Sequence, residues 1–409
     1  MHEHFTSFEE VYDDRYAKEY GQFRLIRIKE AVQKFSDCGN YLKGIARIKC
    51  TDDTCKHEYF RPFSCKQWYL CPSCHQKRLL LLSEQLCENV LFRSPHRQFV
   101  FTIPKSLRVY FKHDRKLFSD ISRLIHSLIT DYYSEMKGIS LKTGTVISYQ
   151  SAGDILRFNS HWHALVLEGG LDKENNFHYI SLKDLSDMTE LFRQKVIRLL
   201  VKKKLLNHQF ARNLLSWKHS GFSINNSVLL RPHDDRAREN LCQYIIRHPV
   251  SLKKIEYIPA KSKVLYHTKY NEYWKENIKL FTANDFIAEL TQHLPPKRKH
   301  MIRYYGLYSS RSKGKARIDG TYEKFGINGA GQGSKNDTNF DTESVESNKS
   351  SNQTWARLIQ KVYEVDPLKC PKCRGQMKIV AVITAFSECQ KIVEHLKKNK
   401  SPPFAVDVV

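Results

Sequence analysis

No run of about 18 apolar residues occurs in this 409-residue chain, so a membrane-spanning helix is not expected. The opening stretch, MHEHFTSFEEVYDD, carries no apolar segment behind a positive start, so a secretory leader is not expected either. No segment recurs at a period of about 20 to 50 residues, which sets aside solenoids and propellers. Acidic residues are also scarce: 43 Asp and Glu stand against 67 Lys and Arg, a difference of +24. Apolar residues make up 41% and aromatics 12%, enough to build a core and to exclude global disorder. The length points to about two to four structural units. A cytosolic chain with this charge is expected to bind nucleic acid, with an anionic membrane surface the weaker partner.

The eleven cysteines are unevenly spread. Cys38, Cys50, Cys55, Cys65, Cys71 and Cys74 crowd one segment, Cys370 and Cys373 form CPKC near the end, and Cys87, Cys242 and Cys389 stand alone. In a reducing compartment such clusters read as metal sites, and lone cysteines as small buried hydrophobes. Cys50 and Cys55, followed by Cys71 and Cys74, are two short-spaced pairs of the kind that closes a tetrahedral Zn²⁺ site. Pro72 and Ser73 suit the tight turn that presents the second pair. The gap after Cys50 is wide, so Cys65, Cys38, His57 or His75 could replace one ligand or build a second site. The CPKC pair, Cys370 and Cys373, needs two further ligands, such as Cys389 or His395; a reduced pair in ordinary packing is the competing reading. Lys66, Trp68, Lys77 and Arg78 mix cations with an aromatic ring around the cluster, which suits phosphate contacts and base stacking as well as a plain solvated face.

Along the chain, residues 8–36 have helical pattern, RLLLLSEQLCENVLF reads as a buried helix, and QFVFTIP as a strand ending at Pro104. GTVISYQ and HWHALVLEGG are two further strands, and the next hundred residues read as mostly helical. His161 and His163, two apart in such a strand, point to one face and can share a metal, with Trp162 and the following ALVL expected to pack the opposite side. An HxH pair alone is a modest signal. The stretch ARENLCQYIIRHPVS reads as a helix ending before Pro249, on which Tyr244 shares a face with Asn240, Arg247 and His248. A helical tyrosine is usually packing; one flanked by Arg and His in a basic chain is a candidate nucleophile.

The stretches SCKQWYLCPSCHQKR, FTIP, HWHALVLEGG, QYIIRHPVSLKKI, LPPKRKHMIRYYGLYSSR and DPLKCPKCRGQM, in this order, resemble the HUH rolling-circle transposases of the IS91 type. The resemblance covers nearly the whole chain. It implies an α+β fold: an HUH endonuclease core, an antiparallel sheet flanked by helices, with an N-terminal zinc-ribbon-like module and a small C-terminal unit. The implied domains are an N-terminal helix and zinc module over 1–80, the HUH core over 81–270, a basic helical extension over 271–325, a flexible linker over 326–353, and the CPKC unit over 354–409. The linker is Gly, Ser and Asn dense, with little apolar surface to offset its ordering entropy.

By the same resemblance His161 and His163 hold catalytic Mg²⁺ or Mn²⁺, Tyr244 attacks single-stranded DNA to give a 5′-phosphotyrosine, and Arg247 clamps phosphate. Gln150 is favoured as third ligand, with His248, Asp154 and Glu168 as alternatives. Two-tyrosine members carry tyrosines four apart, and here the position four before Tyr244 is Asn240, so the chain resembles the single-tyrosine branch. Either a homodimer supplies a second Tyr244 or the freed 3′-OH acts next; Tyr304 and Tyr305 are distant candidates for a second nucleophile. The expected protein is a bacterial, cytoplasmic, nucleoid-associated transposase that binds structural Zn²⁺ and the single-stranded DNA of element ends and targets, with no membrane partner. The competing classes are a rolling-circle replication initiator or relaxase-type nickase, a non-catalytic zinc-dependent DNA-binding protein, and a zinc hydrolase built on HWH.

Overall fold

The computed structural model describes residues 1, 3–246, 248–272, 275–318, 320–325 and 369–398. The expected linker, 326–353, lies outside the described residues, as does Arg247. The described chain divides into two compact units, one from residues 3–25 and 82–325, the other from 26–81 and 369–398.

In chain order the strands used below are β1 (Ile45–Cys50), β2 (Glu58–Pro62), β3 (His96–Thr102), β4 (Gly144–Ala152) and β5 (Phe158–Leu167). They continue as β6 (Ser223–Leu230), β7 (Ile255–Ile258), β8 (Lys263–Asn271), β9 (Glu276–Thr282), β10 (Ile302–Gly306) and β11 (Met377–Ile383). The helices used are α1 (Pro72–Asn89), α2 (Leu117–Lys137), α3 (Ser186–Lys202), α4 (Asp235–Ile246) and α5 (Phe386–Lys398).

The larger unit is built on a five-stranded antiparallel sheet in the order β10-β4-β5-β3-β6. Central β5 is buried along most of its length, and its two-residue period divides the side chains between two cores. Trp162, Ala164 and Val166 join Phe99, Phe101, Ile147 and Tyr149 on one face. Onto this face packs the apolar stripe of α2, Leu117, Ile121, Ile125, Leu128 and Ile129, with Phe192, Val196 and Leu200 of α3. Leu165 and Leu167 instead point to the other face, into a cluster with Val146, Leu230 and Leu241, Cys242 and Ile245 of α4. The expectation that the whole ALVL run lies opposite the histidines therefore holds only for its alternate members, because side chains change face at every residue. Gly144 starts β4 where the Tyr308 ring lies so close that a Cβ would come within 2.7 Å of it.

Three sequence expectations give way here. The hundred residues after HWHALVLEGG are not mostly helical: β6 closes one edge of the main sheet, and β7, β8 and β9 form a separate antiparallel sheet. Residues 271–325 are not a helical extension, since β10 pairs with β4 from Ile302↔Ser148 to Gly306↔Gly144 and so completes the main sheet. The N-terminal stretch is not one helix; it breaks at Gly21, whose φ is +92°, and resumes at Arg24–Ser36.

The smaller unit holds a three-stranded antiparallel sheet in the order β11-β1-β2. The residues that follow CPKC are thus not a unit of their own. They form β11, which pairs with β1 from Ile45↔Ile383 to Cys50↔Met377, and then α5. The reason is register: β1 has an open edge on the side away from β2, and β11 fills it.

Candidate active site and cysteine clusters

The register of β4, β5 and β3 sets His161 opposite Gln150 and Thr102, and His163 opposite Ser148 and Val100. Paired residues share a face, so His161, His163 and Gln150 point the same way. The two imidazole centroids lie 5.0 Å apart. His163 is 3% exposed and its Nδ1 lies 2.8 Å from the side-chain amide of buried Gln98. His161 Nδ1 lies 2.9 Å from the Asn159 carbonyl, to which it donates in the corresponding tautomer. With Nδ1 engaged on both rings, Nε2 is the atom each would turn toward a metal.

Helix α4 lies on this face. Leu241, Cys242, Ile245 and Ile246 enter the cluster beneath it, while Arg238, 1% exposed, donates to the carbonyls of Leu91 and Phe92 at 3.3 and 2.9 Å. Ser83 of α1 donates to the Glu239 carbonyl and Cys87 contacts Cys242, so α4 is fixed at several points. Tyr244, farther along the same helix, is 41% exposed, and its ring meets His163 edge-on with centroids 5.4 Å apart. Gln150 reaches the same helix, donating from Nε2 to the Ile245 carbonyl at 3.1 Å, so its amide oxygen is the atom that could ligate a cation.

The other third-ligand candidates go elsewhere. Glu168 is buried and accepts from Arg97 Nε at 2.6 Å, His248 Nδ1 bonds the Val250 carbonyl, and Asp154 is exposed in a one-turn helix. Among the described residues, no His, Cys, Asp or Glu completes a three-ligand group with His161 and His163. Tyr304 packs in the α4-side cluster and Tyr305 stacks on His126 with centroids 5.4 Å apart.

In the smaller unit the cysteines assort differently from their spacing in sequence. Cys50 and Cys55 do not share a site with Cys71 and Cys74. One group unites Cys38, Cys65, Cys71 and Cys74; the other unites Cys50, Cys55, Cys370 and Cys373. The physical reason is that β1 carries Cys50 to the edge where β11 and the CPKC turn dock, while the CPSC pair opens helix α1. Neither His57 nor His75 belongs to a group, and His75 Nδ1 pairs with the Trp68 carbonyl. Cys389, expected as a partner for CPKC, is buried against the Ile383 carbonyl.

Two family models match non-overlapping parts of the chain: "Transposase zinc-binding domain" over residues 7–103 and "Putative transposase" over 144–316. The chain is also 23% identical, over 392 residues, to a transposase for insertion sequence element IS801 of Pseudomonas savastanoi pv. phaseolicola, an alignment covering 90% of this chain and 87% of that one. The chain belongs to the IS91-type transposases. No solved structure matches it.

The putative-transposase match begins at β4 and takes in Gln150, His161, His163 and Tyr244, so these residues and α4 lie inside the transposase match, while β3 precedes it. The zinc-binding match contains the whole of the first cysteine group, and structural zinc belongs to this transposase on that match together with its thiol clusters. No helix among the described residues is long and apolar enough to cross a membrane. The DNA-contact candidates sit by the first cysteine group: Lys66 and Lys77 are exposed, whereas the Arg78 guanidinium lies 3.2 Å over the Trp68 ring, which already occupies one stacking face. The sequence offered Cys38 only as an alternative zinc ligand, where the structure makes it a member of the first group, and it pointed to neither Gln98 as the partner of His163 nor Arg238 as the anchor of α4. Gln98 carried one usable signal, a polar residue inside an apolar strand; the other two depend on pairings that no spacing reveals.

Proposed function

We propose that this transposase cleaves and rejoins single-stranded DNA at element ends through a covalent phosphotyrosine. The observation that carries the reading is the edge contact between Tyr244 and His163, 5.4 Å between centroids, on the face that also presents His161 and Gln150. His161, His163 and the Gln150 amide oxygen would hold Mg²⁺ or Mn²⁺, whose contribution when bound is to offset charge on the phosphoryl oxygens. The Tyr244 oxygen attacks phosphorus, the bond from phosphorus to the 3′-oxygen breaks, and the proton given up by the phenol is balanced by one taken up at the 3′-oxygen. The products are a 5′-phosphotyrosine and a free 3′-OH, and the retained bond energy lets strand transfer proceed without ATP. Lys66, Lys77 and Arg78, with Arg247, are the cations assigned to DNA phosphates. A single tyrosine on α4, with Asn240 one turn before it, assigns the second strand transfer either to Tyr244 of a second copy or to the freed 3′-OH.

The test is incubation of labelled single-stranded DNA from the element's terminus with Mg²⁺ or Mn²⁺, comparing wild type with Tyr244→Phe. The expected result is a covalent protein–DNA species with wild type and none with the variant. Adduct from the variant would move the nucleophile elsewhere. No adduct from wild type on authentic ends would leave a DNA-binding protein without this chemistry.

A further inference from the structure

Near its C-terminal end the chain carries a cysteine pair that no part of the proposed DNA chemistry uses. Cys370 and Cys373 lie beyond the zinc-binding match, which ends at residue 103. Their sulfurs meet those of Cys50 and Cys55: Cys50 Sγ lies 3.4 Å from Cys373 Sγ, and Cys55 Sγ lies 3.6 Å from Cys370 Sγ. A disulfide would need about 2.05 Å. A zinc ion with four thiolates at about 2.3 Å in tetrahedral array sets the sulfurs about 3.8 Å apart. In the first group the separations are 3.8, 3.8 and 3.5 Å, so both groups have the spacing of a four-thiolate shell.

We infer that the transposase binds a second structural Zn²⁺ through Cys50, Cys55, Cys370 and Cys373, joining chain segments more than three hundred residues apart. The backbone around the four thiols is shaped for it. Cys50 is in register with Met377, and Thr51 N–H donates to the Gln376 carbonyl at 2.8 Å, which brings the CPKC turn beside β1. That turn is a tight knuckle: Arg374 N–H donates to the Cys370 carbonyl, Cys370 N–H to the Gly375 carbonyl, and Arg374 takes a φ of +61°. Gly375 N–H points at Cys373 Sγ, 3.4 Å away, as a donor to a thiolate. A Cβ on Gly375 would lie 3.1 Å from Cys373 Sγ and 3.3 Å from Cys50 Sγ. The local apolar core consists of Ile48 and Met377 with Cys50 and Cys370 themselves, backed by Tyr59 and Cys55. So small a core needs the metal to hold its two segments together. Lys369, Lys372 and Arg374 flank the knuckle in sequence and offset the negative charge of four thiolates around a divalent ion.

The experiment measures metal content of the full chain, purified without chelator, by elemental analysis, and maps native alkylation of each cysteine by mass spectrometry. Two zinc ions per wild-type chain and one per Cys370→Ser/Cys373→Ser chain are expected. Cys373 belongs to an exposed residue, so its thiol should alkylate readily unless ligated; it should be protected in the loaded wild type and become labelled once chelator strips the metal. This readout does not depend on the double variant folding. One zinc per wild-type chain, two in the double variant, rapid labelling of Cys373 in the loaded protein, or iron in place of zinc would each overturn the inference.

Discussion

Gln98 lies on β3, two positions before Val100, which faces His163, so its amide stands on the histidine face within reach of the His163 ring. A neutral imidazole that binds a cation through Nε2 must carry its proton on Nδ1, and that proton requires an acceptor. The Gln98 amide supplies one when its oxygen faces the ring, an orientation a half-turn of the amide reaches from the nitrogen-facing one. Under the proposed chemistry Gln98 would be a positioning residue, acting on the DNA only through His163. Gln98→Leu removes the acceptor at similar volume and should raise the Mg²⁺ or Mn²⁺ concentration needed for half-maximal adduct formation by about 10- to 100-fold. Gln98→Glu keeps an acceptor and should stay near wild type in the same titration. If Leu and Glu shift the metal requirement alike, the amide serves packing alone.

At the scale of elements, what places Tyr244 is the seating of α4, and the buried polar anchor of that helix is Arg238. Its guanidinium is buried and answers the Leu91 and Phe92 carbonyls, and burial lowers its pKa from the usual arginine range. Arg238→Met would keep the apolar stem but leave those carbonyls without this donor, a loss of about 1–3 kcal/mol. Thermal unfolding should shift down by several degrees, and adduct formation should fall with it even though Arg238 is a full turn and more from Tyr244. Unchanged melting in Arg238→Met would show that α4 is held by its apolar face alone. The elements that position the site were legible where periodicity is local: the FTIP and HWH strands and the tyrosine helix are written in patterns of two and of three to four. Long-range pairing was not. That β10 joins β4, that β11 joins β1, and hence which cysteines meet, follows from sheet edges that only the folded chain brings together. The spacing Cys50-Cys55 then Cys71-Cys74 pointed to one site because nothing local in KCPKC announces a partner at residue 50.

For the whole molecule, acid should act on the two units by different chemistry. In the larger unit His96 and His293 are buried and pushed down to about 3, and His126 to about 4, in each case chiefly by burial. His96 bridges the Ser94 carbonyl and Tyr308, and His293 bridges Ser151 and the Leu156 carbonyl, so each is useful as a neutral ring. In the unfolded chain a histidine takes up its proton near pH 6.5. Between pH 6.5 and about 3 to 4 the unfolded state therefore binds more protons than the folded one, and stability rises with pH across that window. The stabilisation is fully present above pH 6.5 and is lost as the pH falls toward the folded values. In the smaller unit acid works by protonating thiolates and releasing metal. Unfolding followed at fixed temperature by a zinc indicator and by the fluorescence of Trp162, with the other four tryptophans replaced by phenylalanine, should separate the two: Trp162 lies in the core of the larger unit. Chelator at neutral pH should reproduce zinc release while leaving the burial of Trp162 intact; acid should bring both. Substituting His96 and His293 with Gln, which cannot take up a proton, should flatten the acid limb of the Trp162 signal without changing the pH of zinc release. An acid limb that survives both substitutions and that of His126 would assign the loss of stability to other groups.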